Sequence, residues 1–189
     1  MTFPTDVFSG VVIEQITDTR VSKTRYYRNR ARGNKAPFFM VALTSPPLPY
    51  SEYMATMAVI ESYEGALEIF ALPNPLPALA AFPDYALDVT ANAGSKTVIL
   101  DRQANYRAGD FIQFSSHAKA YRIASVSIGS GVTTIGLSCP LLETVLTSDD
   151  VLYGANVIFQ VCLEDVSPMD IQASQSKFGV IDVELIEQA

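Results

Sequence analysis

The chain has no tryptophan, one histidine and two cysteines in 189 residues. Charge is scarce too, at 17% against about a quarter in an ordinary soluble domain. Each shortage excludes something. One histidine and two distant cysteines do not make a zinc site, which needs closely spaced N and S ligands. Cys139 and Cys162 lie in apolar, strand-like surroundings and read as buried reduced thiols, pointing to synthesis in a cytoplasm. The lack of tryptophan weakens a sugar-stacking site, although nine tyrosines leave one open. No apolar run reaches the roughly 18 residues of a membrane span. Met1-Thr-Phe-Pro-Thr-Asp has no basic start before an apolar stretch, so no secretory signal is expected. Neither phosphate-binding glycine motif occurs, and Asp149-Asp150 lacks the ligand pattern of a calcium loop. The expectation is no cofactor and no metal.

His117 follows Ser115 and Ser116, which raises the question of a hydrolase. Nucleophilic catalysis needs a base oriented by a third group, and an oxyanion site. Residues adjacent along a strand point to opposite faces, and no G-x-S-x-G elbow is present. We therefore expect no catalytic residue and read His117 as a local hydrogen-bonder.

What the chain does have is a segregated charge. Arg20, Lys23, Arg25, Arg28, Arg30, Arg32 and Lys35 are 7 of its 13 basic residues, with no acid between them. The rest carries 6 basic and 20 acidic residues, a balance of −14. Such a segment could bind phosphates. With Arg28, Arg30 and Arg32 two apart, it equally suits one face of a strand that meets an acidic neighbouring subunit. Arg25, Arg28, Arg30, Arg32 and Lys35 are the candidate interface residues. Scarce charge beside 49% hydrophobic residues fits a surface partly covered by copies of itself.

The pattern along the chain is mainly β. Strands are expected at 7–16, 37–44, 66–72, 156–164 and 178–186. Ser51 to Glu64 reads as one helix, with Ser51 as N-cap, Tyr53, Met57 and Ile60 at helical spacing with Met54 and Ala58 beside them, and Gly65 as the stop. Prolines at 73, 75, 77 and 83 mark a loop and domain boundary. Beyond it, short strands alternate with turns at Asn92 and Gly94, Gly109-Asp110, and Gly129-Ser-Gly131, as in a small barrel or sandwich.

Residues 108–123 read Ala-Gly-Asp-Phe-Ile-Gln-Phe-Ser-Ser-His-Ala-Lys-Ala-Tyr-Arg-Ile, and 132–142 read Val-Thr-Thr-Ile-Gly-Leu-Ser-Cys-Pro-Leu-Leu. This resembles a bacteriophage tail protein family whose middle runs AGDFIQFxGHxKVYxV, then a turn, then TLxIxPPL. Pro47-Leu-Pro-Tyr-Ser-Glu-Tyr, the end of the helix and residues 156–187 resemble the same family, so that the likeness spans about 26–189. Ser116 stands where the pattern has glycine, and Ala120 where it has valine. The resemblance implies a distal tail or tail-tube-like protein, a β-sandwich or barrel with one packed helix. It implies a ring-forming domain at 1–84 and 152–189, with a small β-barrel-like domain inserted at 85–151. The 109–123 motif would be a hairpin of that insert. The implied partners are copies of the chain in a hexameric ring, other tail proteins (tube, hub or fibre), and DNA passing through the channel without specific binding. No membrane is involved, and the destination is the virion. The alternative is a binding module whose insert takes a host glycan or a tail fibre.

Overall fold

The computed structural model describes residues 3–17, 19–23, 29–33, 37–63, 68–76, 85–100, 105–129, 131–164 and 178–188, with backbone alone at 19–23, 29–33 and 85–86. In chain order the strands are β1 (Gly10–Ile16), β2 (Thr19–Lys23), β3 (Asn29–Gly33), β4 (Phe38–Thr44), β5 (Leu48–Pro49), β6 (Phe70–Pro73), β7 (Tyr85–Ala86) and β8 (Thr97–Leu100). They continue with β9 (Phe111–Phe114), β10 (Ala120–Gly129), β11 (Val132–Leu137), β12 (Asp150–Tyr153), β13 (Ile158–Leu163), β14 (Phe178–Gly179) and β15 (Asp182–Glu187). One α-helix, α1 (Tyr50–Glu61), interrupts them. The fold is mainly β, as expected, and neither larger sheet is a closed barrel. The chain divides into two compact units, Met1–Glu14 with Phe39–Ala80 and Gly154–Ala189, and Gln15–Phe38 with Ala81–Tyr153.

The first unit holds a five-stranded sheet in the order β1-β4-β15-β13-β6. Strand side chains alternate between faces. In β4 the buried set is Phe39, Val41 and Leu43, and in β15 it includes Val183 and Leu185, which pair with Leu43 and Val41. Each such buried side chain contributes about 1.5–3 kcal/mol. Glu187 continues the buried face of β15, and its carboxylate accepts the Phe39 N–H at 3.2 Å. The two edges of the sheet differ. β6 is four residues long and closes on Pro73, which has no N–H to offer. β1 is seven residues long, none of its side chains is buried, and it contains no proline.

Helix α1 buries Tyr53, Met57 and Ile60 as expected, and Thr56 with them, whereas Met54 and Ala58, expected beside that stripe, are exposed because they lie on the solvent side of the helix. Its start differs from expectation. Pro49 is the N-cap and makes no side-chain cap bond, while Ser51 lies inside the first turn. The fixed φ of Pro49, −55°, turns the chain into the helix without a capping hydroxyl. Helix α1 ends with Ser62, whose hydroxyl donates to the Val59 carbonyl at 2.6 Å; Gly65 lies outside the described residues. The expected strand 178–186 is broken in two. Between β14 and β15, the Ile181 N–H donates to the Ser45 hydroxyl at 2.8 Å and its carbonyl accepts the Ser45 N–H at 2.9 Å. β14 pairs with β5 instead, with Gly179 beneath the Tyr53 ring.

In the second unit a six-stranded sheet runs β7-β12-β9-β10-β11-β8. Ten-residue β10 serves both halves. Ala120 to Arg122 pair with β9, the register shifts between Ile123 and Ser125, and Ser125 to Gly129 pair with β11. The sheet curls until its two ends touch at one bridge, Leu87 to Leu100, without a ladder between them. Its core is built from Leu100, Ile112, Phe114, Tyr121, Ile135, Val145 and Val151 among others, each fully buried. Apart from this sheet, β2 and β3 form an antiparallel two-stranded ribbon.

Candidate functional site

Two regions held the expectations, the 108–123 motif and the basic segment. The motif folds as the antiparallel β9–β10 hairpin, and nearly every polar group in it has a structural partner. Gly109 takes φ 101°, a conformation that favours glycine. Its N–H donates to the Ile123 carbonyl at 2.8 Å, and the Ile123 N–H returns to the Asp110 carbonyl at 2.8 Å. The Asp110 carboxylate accepts the Tyr153 hydroxyl. Burial first, then this hydrogen bond and the carboxylate charge, hold that hydroxyl well above the ordinary tyrosine range. The Arg122 guanidinium donates to the Gly109 carbonyl at 3.2 Å and lies 5.8 Å from the centre of the Phe111 ring.

The connection between the strands is pinned from inside. Buried Gln113 donates from Nε2 to the carbonyls of His117 (3.2 Å) and Ala118 (3.1 Å). His117 is 7% exposed and packs edge-on against Phe114 at 5.5 Å. Its Nδ1 is hydrogen-bonded to the Tyr121 hydroxyl at 3.1 Å, and that hydroxyl accepts the Leu142 N–H at 3.2 Å. Tyr121 thus ties the first half of the recognised pattern to the second. His117 Nε2 is buried without a hydrogen-bond partner among the described residues.

Ser115 and Ser116 lie in the turn, not along a strand, and neither pairs with His117. Ser116 donates to Asp149 Oδ2 at 2.9 Å, which also accepts the Leu146 N–H at 2.8 Å. Ser115 accepts the Asp150 N–H at 3.0 Å. Both serines therefore fasten the 146–150 loop. Among the described residues no group of three or more His, Cys, Asp or Glu could hold a metal, and no helix is long and apolar enough to cross a membrane. A cleft of about 210 Å³ in the first unit, lined by Asp6, Val11, Leu43, Pro73 and Asn74 among others, is smaller than the roughly 300 Å³ at which ligand pockets begin.

Of the candidate interface residues, Arg30 and Arg32 lie on β3; Arg25, Arg28 and Lys35 fall outside the described residues. The ribbon register sets Arg32 opposite Arg20 and Arg30 opposite Ser22. Residues directly opposite share a face of a β-ribbon, so Arg20, Arg30 and Arg32 lie on one face. Sequence reasoning left Arg20 out of the candidate interface set because it did not foresee that β2 and β3 pair. It also missed Tyr153, which meets Asp110 from 43 residues away; no local pattern marks such a pair. No family model matches the chain, and no curated protein matches it.

Proposed function

We propose that this chain is a structural component of a bacteriophage tail, a distal tail, hub or tube-associated protein that assembles into a ring around the DNA channel. The resemblance of 108–123 and 132–142 supports the tail family. The observation that carries assembly is β1, a seven-residue edge strand with no buried side chain and with Val12 54% exposed. A long edge strand, with its outer N–H and C=O groups outside the sheet's own ladder, is a template for another strand. The spending of Gln113, Asp110, Tyr121, Ser115 and Ser116 on holding one hairpin and its neighbouring loop fits an architectural role. Copies of the chain, other tail proteins and transiting DNA are the proposed partners, in the virion. The test is the mass of the purified chain by light scattering over a range of concentrations, followed by imaging. The expected result is a closed oligomer of about six subunits with a central channel. A monomer at every concentration overturns the ring.

A further inference from the structure

Two strand pairs of the chain each bring like-charged residues opposite one another. On the ribbon, Arg20 lies directly opposite Arg32, and Arg30 lies two residues further along β3. In the five-stranded sheet, Leu163 of β13 pairs with Leu185 of β15. One step on, the Glu164 N–H donates to the Glu184 carbonyl at 3.1 Å, so these two glutamates stand across from each other. Asp182 lies two residues from Glu184 and shares its face. All three acids are exposed, and none has an ion-pair partner among the described residues. On the β4 side, Asp182 and Glu184 pair with the small residues Thr44 and Ala42.

Like charges directly opposite in a β pair are destabilising. The chain carries this cost twice, with opposite sign and the same plan. Arg32 and Glu184 are the corners; Arg20 and Glu164 lie across from them at about 5 Å, and Arg30 and Asp182 lie along the strand at about 7 Å. Both costs are relieved if the arginine face meets the acidic face.

We propose that the Arg20, Arg30 and Arg32 face of one copy docks on Glu164, Asp182 and Glu184 of a second copy. This rests on the assembly reading above and adds to the β1 edge a second contact, which the oligomer also requires. Arginine forks match carboxylates bidentately, which favours arginine over lysine at such a surface. A second copy is favoured over nucleic acid because the rest of the chain carries a balance of −14, which repels a polyanion. The contact joins two different surfaces, so it is heterologous and able to close a ring.

The test is an exchange of sign, read as mass by light scattering and checked for folding by circular dichroism. One protein carries Arg20→Glu, Arg30→Glu and Arg32→Glu; the other carries Glu164→Lys, Asp182→Lys and Glu184→Lys. Each alone is expected to be monomeric, and an equimolar mixture to recover the wild-type mass, because unlike faces then alternate. If the acidic-face variant keeps the wild-type oligomer, the proposal fails while the ring stands. A monomeric wild type removes both. Loss of duplex DNA binding in the arginine variant, with its mass unchanged, replaces the second copy with nucleic acid. Should a variant fail to fold, the wild-type oligomer alone decides: its association is expected to weaken at least tenfold from about 0.05 to about 0.5 M salt, and a salt-independent mass overturns the contact.

Discussion

The Tyr121 hydroxyl accepts the Leu142 N–H at 3.2 Å and is hydrogen-bonded to His117 Nδ1 at 3.1 Å. One oxygen therefore connects three points of the second unit. Tyr121→Phe removes it, leaving the Leu142 N–H and the imidazole without these partners. A lost hydrogen bond that strands a buried group costs about 1–3 kcal/mol, and for a chain of this size each kcal/mol lowers Tm by roughly 2–4 °C. Thermal unfolding of the variant checks this; an unchanged Tm contradicts it.

Tyr153 gives the chain an alkaline limit. Its folded-state pKa is raised by burial and by Asp110, whereas the unfolded hydroxyl titrates near its ordinary value of about 10. The stability it contributes is complete below that value and is lost as pH rises above it. Urea midpoints measured from about pH 9 to 11 should fall more steeply for the wild type than for Tyr153→Phe. Parallel curves would deny the linkage.

Glu187 is 3% exposed and holds the Phe39 N–H. Glu187→Ala removes this buried acceptor from the Phe39 N–H, at a cost of about 1–3 kcal/mol. Glu187→Gln keeps an acceptor oxygen and should lose less. Equal urea midpoints for the two variants would mean that the carboxylate's position is unimportant.

Gly179 has no room for a side chain. A Cβ there would lie 2.5 Å from the Tyr53 ring, which is 5% exposed. Gly179→Ala should therefore destabilise by about 1–3 kcal/mol through overpacking. The same change in a Tyr53→Leu background should cost clearly less, since the obstructing ring is gone. A double-mutant cycle with no coupling refutes the clash.

The β1 edge predicts a separation of folding from assembly. Val12 is 54% exposed, so Val12→Lys should leave Tm nearly unchanged while placing a charge on the open edge. Natural edges use lysine in this way to refuse partners. Smaller mass in light scattering at unchanged Tm is the expected result.

Local signals were legible in the sequence where one short stretch determines its own shape. The Tyr53, Met57 and Ile60 stripe and the Gly109 turn are of this kind, because spacing and glycine freedom act over a few residues. The break at Ile181 was not legible. Its alternation continues that of β15, and only Ser45, 136 residues away, claims its backbone. The helix start failed for a related reason: Ser51 has the chemistry of a cap, but the backbone of Pro49 had already set the entry. The burial of Glu187 and the opposition of Arg20 to Arg32 are likewise pairings across the fold. They depend on register, which hydrophobic pattern constrains and composition does not.

The unequal edges of the five-stranded sheet bear on how the protein behaves while its partners are absent. Fibrils grow when every added unit presents a fresh acceptor on its far side. Here the far side is β6, short and closed by Pro73. A guest strand on β1 therefore leaves no second acceptor of the same kind, and continuous cross-β growth through this sheet stops after one addition. If β1 takes a partner strand as proposed, the same sheet both accepts that strand and blocks further growth through its other edge.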